Sequence, residues 1–367
     1  MAGSGPDQLK DVTEELAHRI VLDTVRLPHL EGSGSTSTRD WRAFRALTLA
    51  IHRWDGPDYH VGDPEAFGAV DALLAEALEH DPLYALAWYN RGALHRSTFQ
   101  GAASNERALG FFRRAQEAAR AEADRIAHQR LELDRRVEGL AWVGISRCLS
   151  QKRHRYGRID DGVVARARQA GQEAVTLLGK DDPAAMQALA FAWHCTERLD
   201  DIRKGREIYR ALIREHPNRF AVTHNNLGYI LTKGGSELKA MGRTDDADGW
   251  WKEAETELQT ALRISRSGSR IRDFAHANLG NLRRLQHRFP EAESEYLKAL
   301  HPSPETSRYT NGLNELALVY LQWGRTDDGL RLHQRALEVA SDEAHRAKLR
   351  AELEVGGDIQ LGPLPER

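Results

Sequence analysis

Between residues 39 and 343 apolar side chains recur at intervals of three and four, and rows of Leu or Tyr alternate with rows of Ala or Gly. The stretch FAHANLGNLRRLQHRFPEAESEYLKALHPSP, residues 274–304, shows the pattern most clearly. Ala275, Leu279, Leu282 and Leu285 share one helical face. Pro290 then opens a second helix, a position where no backbone donor is needed. In that helix Ala292, Tyr296, Ala299 and Leu300 form a face that stops near Pro302 and Pro304. Small side chains at Ala277, Gly280, Ala292 and Ala299 let two antiparallel helices approach closely, and Tyr296 is expected to fill the space between hairpins. The stretch therefore predicts a two-helix hairpin with a small-residue seam.

The pattern recurs. In DPLYALAWYNRGALH (81–95) Trp88, Asn90 and Gly92 are followed by Ala108, Phe112 and Ala115. In HNNLGYIL (224–231) Leu227 and Gly228 precede Ala254, Leu258 and Ala261. Residues 314–340 carry Leu316, Ala317 and Tyr320, then Gly329, His333 and Ala336. Weaker copies centre on Gly144 with Ala167, Gly171 and Ala174, and on Ala190 with Gly205, Tyr209 and Leu212. AVDALLAEALEHDP (69–82) reads as another second helix, whose first helix falls at 39–54. The expected fold class is all-α, an α-solenoid of about seven helix-turn-helix units, each burying its face against its neighbours.

These residues resemble the tetratricopeptide repeat, a unit of about 34 residues. Leu279–Gly280, Ala292, Tyr296, Ala299 and Pro304 stand where that repeat carries Leu-Gly, Ala, an aromatic, Ala and Pro. His276 replaces its usual Trp, and Arg283 a usual aromatic. The resemblance implies a right-handed array whose first helices line a concave groove. Gly92 to Gly144 and Gly228 to Gly280 each span 52 residues, more than one repeat. The surplus points to insertions at STFQGAASNE (97–106) and KGGSELKAMGRTDD (233–246), which are expected to shape the groove's entrance.

Three regions follow from this reading. Residues 1–38 hold an amphipathic helix, with Leu9, Val12, Leu16 and Ile20 on one face, and a Gly/Ser/Thr-rich linker. Residues 39–343 form the array, and 344–367 a capping helix with a frayed tail. Composition adds little that is global. Hydrophobic residues make up 41% and charged residues 29%, with a net charge of -2 that exerts no overall pull on nucleic acid or an anionic membrane. Two cysteines give neither a disulfide framework nor a zinc set. With no signal-peptide pattern and no long apolar run, the expected location is cytoplasmic; an excess of Arg over Lys points to a bacterial gene.

Catalytic motifs are missing: the chain has no Gly-rich phosphate loop, no His-Glu-x-x-His, no Cys-x-x-Cys and no Ser or Cys nucleophile signature. His52, Asp55, Asp58 and His60 form the densest ligand-like cluster, but DGPD there is also turn chemistry. His194 and Cys195 are adjacent and so point about 100° apart on a helix, with Cys195 expected in the core and His194 on the surface. The chain is therefore expected to be neither an enzyme nor a holder of metal or cofactor.

Binding residues are more promising. The resemblance places Asn90, Asn225, Asn226, Asn278, Asn281, Arg284, Asn311 and Asn314 on the groove-lining helices. An Asn amide both donates and accepts, so a row of them suits an extended peptide backbone. Asn311 and Glu315 stand where family members that clamp a terminal carboxylate carry basic residues, so that clamp is not reproduced. A second, weaker set of residues suits an anion or nucleic acid: Lys152, Arg153, Arg155 and Arg158 in QKRHRYGR, and Arg266 and Arg270 in RISRSGSRIR. The leading expectation is a protein-interaction scaffold that binds a peptide or protein segment in its groove. The alternatives are a regulatory arm of a larger bacterial signalling effector and an RNA-binding solenoid.

Overall fold

The computed structural model describes residues 38, 40–54, 63–98, 102–128, 135–152, 160–196, 198–217, 219–266, 269–300, 303–307, 309–340 and 343–357. Among them are fifteen helices and no strand. They run α1 (Trp41–Trp54), α2 (Pro64–His80), α3 (Ala85–Thr98), α4 (Ala102–His128), α5 (Arg136–Lys152), α6 (Asp161–Leu178), α7 (Pro183–His194) and α8 (Leu199–Glu215). There follow α9 (Ala221–Ala240), α10 (Thr244–Ile264), α11 (Arg270–Leu285), α12 (Phe289–Ala299), α13 (Thr310–Gln322), α14 (Thr326–Val339) and α15 (Glu343–Gly357). Seven successive pairs and one last helix make an all-α solenoid of helical hairpins. The amphipathic helix expected around Leu9, Val12, Leu16 and Ile20 lies outside the described residues.

The chain falls into two compact units. One comprises the described residues up to Cys148 together with Gln169–Ala185; the other comprises Leu149–Arg168 and the described residues from Met186 on. In the first, acidic caps start the helices. Asp63 accepts hydrogen bonds from the Glu65 and Ala66 amides ahead of Pro64, and Asp40 does the same for Arg42 and Ala43. Ala43, Leu47, Val70, Leu74, Ala77, Tyr84 and Leu94 form its core. Phe112 of α4 lies against both Gly92 and Gly144, where an added Cβ would come within 2.9 Å and 2.5 Å of the ring. The segment 97–106 is largely helical rather than a loop, because α3 runs to Thr98 and α4 starts at Ala102. The extra length goes into α4, which has 27 residues, and into 129–134, which are outside the described residues.

In the second unit, one turn joins the helices of each of the last three hairpins. Gly242, His287 and Gly324 have φ of 76°, 58° and 83°, and an Arg follows each. The amides of Arg243, Arg288 and Arg325 donate back to the carbonyls of Leu238, Arg283 and Tyr320, closing the preceding helix. Each guanidinium then pairs with an acid three residues on, Asp246, Glu291 or Asp328.

This turn corrects the expectation of an insertion loop at 233–246. The segment is helix up to Ala240 and again from Thr244, so the surplus lengthens both α9 and α10, to 20 and 21 residues. Gly234 and Gly235 make this possible. A Cβ on Gly234 would fall 2.1 Å from the Trp250 ring, and one on Gly235 would fall 2.5 Å from Trp251. Two indoles on α10 thus occupy the space that two glycines leave on α9. Trp251 is buried, and its indole N–H donates to the Thr232 carbonyl at 3.2 Å.

His194 also departs from expectation: it is buried, not on the surface. Its Nδ1 lies 3.0 Å from the Ala190 carbonyl, and its ring packs between Phe191 and Tyr209. Cys195 is buried as expected. Tyr296 is fully buried, with its ring against Gly280 of its own hairpin and in one core cluster with Leu313 and Leu316 of the next. At the C-terminal end α15 packs on α13 and α14, covering the last seam with Leu349 and Leu353. Residues 358–367 lie outside the described residues.

Candidate functional site

The first helices of the last three hairpins, α9, α11 and α13, carry the polar rows that the sequence singles out. Hydrophobic packing behind them fixes their faces. Leu227, Ile230 and Leu231 anchor α9, while Leu279 and Leu282 anchor α11. Two His–Glu pairs tie these helices to their partners. His224 Nδ1 lies 2.6 Å from Glu257 of α10, and His276 Nδ1 lies 2.7 Å from Glu295 of α12. Burial pushes the Glu295 carboxyl up, but hydrogen bonds from His276 and Lys298 outweigh it and hold the group below its ordinary value. The residue that stands in for the repeat's usual Trp is thus a polar fastener within its hairpin.

In front of this, three asparagines from two hairpins join. The Asn278 amide N–H donates to Asn225 Oδ1 at 2.9 Å, and Asn225 in turn donates to Asn226 Oδ1 at 3.3 Å. Asn225 is buried; Asn226 and Asn278 are half-buried. Among the described residues, the NH2 of Asn226 and the amide oxygen of Asn278 take no partner. An unused NH2 on Asn226 and an unused amide oxygen on Asn278 therefore stand at the two ends of the relay, both at half-buried positions.

Further along, Arg284 is a hub. It donates to Asn281 Oδ1 at 2.8 Å and Gln322 Oε1 at 3.3 Å, and it lies 3.6 Å from Glu315. Burial, and then the Glu315 charge, lift the nearby Tyr296 hydroxyl well above its ordinary pKa, so it stays protonated. Phe274 meets Tyr309 edge-on at 5.6 Å, with the Arg270 guanidinium over the Phe274 ring. Gln322 and Tyr309 were not anticipated. Gln322 continues the Arg284 row onto the next hairpin, a placement that repeat spacing alone signals.

The remaining expected residues separate from this cluster. Asn314 is not on an open face. It is 1% exposed beneath α15, donating to the Leu349 carbonyl at 3.3 Å, with His333 Nδ1 at 2.8 Å from its oxygen. The capping helix covers what would otherwise be groove. Asn311 is half-buried near the start of α13. Asn90 lies in the first unit and turns back on its own helix, donating to the Leu86 carbonyl at 2.8 Å. Nearby, Asp71 receives both Arg91 and His95. Burial raises the Asp71 carboxyl, but those two hydrogen bonds prevail and hold it far below the usual range, so it fastens α2 to α3 as a carboxylate.

Of the basic residues, Arg266 is exposed just past α10, and Arg270 starts α11 beside Phe274. Their neighbour Arg272 donates to the Leu262 carbonyl at 2.9 Å, helping to close α10. Lys152 ends α5, while Arg153, Arg155 and Arg158 lie outside the described residues. So do Asp55, Asp58 and His60, leaving His52 alone on α1. Among the described residues no group of three His, Cys, Asp or Glu is placed to hold a metal, and no helix is long and apolar enough to cross a membrane.

The seams, caps and turns decide the fold. The hairpins are tetratricopeptide-like. Similar solved structures include a thermophilic TPR protein of Thermus thermophilus, 20% identical, covering 57% of this chain and 100% of that one with a TM-score of 0.43. The APC/C hetero-tetramer Cut9-Hcn1 is 15% identical over 95% of this chain and 60% of its own, with a TM-score of 0.47. No family model and no curated protein matches.

Proposed function

We propose that this chain is a protein-interaction scaffold that holds an extended peptide segment along the α9–α11 face. The observation that carries the reading is the Asn278–Asn225–Asn226 relay. It holds three amides through one bond between neighbouring hairpins and one along α9, and leaves the Asn226 NH2 and the Asn278 oxygen unused at its ends. Peptide bonds offer the complementary acceptor and donor, so the backbone of an extended ligand would engage both amides whatever its side chains. Arg284 and Glu315, further along the row, would then read side-chain charge. Because the amides are already held by their neighbours, little ordering entropy is lost on binding.

The test is selection of peptides from a random library on the full-length chain, followed by affinity measurement with Asn226→Ala/Asn278→Ala. Each lost hydrogen bond is worth ~0.5–1.5 kcal/mol, so the double variant should bind roughly 5- to 150-fold more weakly. N-methylation of one peptide-bond nitrogen in the ligand should weaken binding to the wild type but not to the variant. Selected peptides that bind a normally folded double variant as tightly as the wild type would refute the proposal.

A further inference from the structure

The lengthened α9–α10 hairpin and the second helix of the preceding hairpin, α8, together line a half-open cavity of about 310 Å³. Arg203, Arg206, Glu207 and Arg210 line it from α8; Leu238, Arg243, Asp246 and Trp250 line it from the hairpin. The spacing of the α8 arginines, three and four residues apart, puts them on one helical stripe. Trp250, seated against Gly234, supplies an aromatic wall, and the Arg206 guanidinium lies over its ring at 4.5 Å. None of these residues belongs to the asparagine row.

Charge alone does not define the site, because Asp200, Glu207, Asp246 and Glu253 match the four arginines in number. What distinguishes it is how the donors are used. Glu253 takes Arg206 on one carboxylate oxygen and Arg210 on the other, the latter through Nε at 2.9 Å and Nη2 at 2.7 Å. One carboxylate thus serves two guanidiniums. Arg206 keeps a buried Nε–H with no acceptor. The other two pairs, Arg203–Asp200 and Arg243–Asp246, join neighbours on their own segments, and their carboxylates are 86% and 53% exposed. Such pairs are weak and exchange readily for a better acceptor. Each guanidinium carries five N–H donors, so the cavity wall holds more donors than its own carboxylates can satisfy.

We propose that the cavity is a binding site for a phosphate monoester. Arg203, Arg210 and Arg243 converge on the phosphoryl oxygens from both sides, while Leu238 and the Trp250 edge take the organic group. A phosphoryl group fits better than a second carboxylate, because three acceptor oxygens are needed to meet guanidiniums from opposite walls. The volume lies at the lower end of small-ligand sites, roughly 300–1,000 Å³, which suits a phosphorylated side chain or a small phosphorylated metabolite.

Titration calorimetry on the full chain with phenyl phosphate tests this. The expected result is saturable binding with Kd near or below about 1 mM, at least about tenfold weaker in Arg210→Gln/Arg243→Gln. Arg210→Lys/Arg243→Lys keeps the charge, loses the fork, and should weaken binding by a smaller factor; it also decides the matter if the Gln variant misfolds. Tighter binding of a phosphoserine peptide than of phenyl phosphate would identify the source as a modified protein, and equal binding would identify a free metabolite. Absence of saturable binding by the wild type, or unchanged affinity in the folded variants, overturns the proposal.

Discussion

The fit of Gly235 against Trp251 makes a prediction whose sign depends on its neighbour. Alanine in a helix interior is favoured over glycine by ~1 kcal/mol, so Gly235→Ala in an isolated helix would stabilise. Here the new Cβ would stand 2.5 Å from Trp251 Cδ1 and Nε1 and 3.3 Å from the Ala247 carbonyl. The indole is 3% exposed and tethered to the Thr232 carbonyl, so it has little freedom to yield. Restoring ordinary contact requires a separation of about 1 Å between the helices, and overpacking of this kind costs ~1–3 kcal/mol. The net effect in the wild-type background is therefore a loss of about 1 kcal/mol. In a Trp251→Leu background the indole is gone and only the 3.3 Å approach to the Ala247 carbonyl remains, so the same substitution should stabilise by up to about 1 kcal/mol. Urea denaturation followed by far-ultraviolet circular dichroism on all four proteins closes the cycle, with an expected coupling of ~1–3 kcal/mol. Destabilisation of equal size in both backgrounds would refute this account of the hairpin.

Three further outcomes follow from other parts of the structure. His287 has a φ of 58° in a turn where the equivalent residues are Gly242 and Gly324, so His287→Gly should raise stability by about 1 kcal/mol in the same urea assay. His333 is pushed down to about 4 by burial and then by the Arg350 charge, whereas the unfolded residue titrates near 6.5. The unfolded state therefore binds the extra proton first, and stability should be intact above pH 6.5 and decline towards pH 4; His333→Gln should flatten that part of the profile. Asn314→Ala removes the bond to the Leu349 carbonyl and leaves His333 without its acceptor, a cost of ~1–3 kcal/mol that should appear first as faster amide exchange in α15.

The hairpins were legible because their seams need small residues at fixed spacing, as at Gly280 and Ala292, and because Pro290 marks a helix start. What the sequence hid has physical reasons. KGGSELKAMGRTDD reads as a loop, since two adjacent glycines cost a helix ~2 kcal/mol relative to alanine. Packing of Trp250 and Trp251 overrides that local preference. The available signal was symmetry: Gly234–Gly235 and Trp250–Trp251 are equidistant from the Gly242–Arg243 turn. The asparagines were legible as a row but not in their partners. Asn278 reaches Asn225 across 53 residues of sequence, and Asn314 lies under a helix whose register only the fold defines. His194 read as a surface residue because its polarity is visible in sequence, whereas the Ala190 carbonyl that satisfies it is not.

The shared turn also limits how such a gene can change in length. The hairpin α9–α10 has helices of 20 and 21 residues, against 16 and 11 in α11–α12, yet both close with one left-handed residue, Gly242 or His287, followed by an arginine. Each residue deleted from α9 alone would rotate everything beyond it by about 100° and break the seam with α10. A viable indel must therefore remove or add paralogous segments on both sides of the turn together, in steps near two helical turns. Drift in this region is symmetric or it is lethal to the fold, and natural variants that shorten the hairpin should lose Gly234–Gly235 and Trp250–Trp251 as one event.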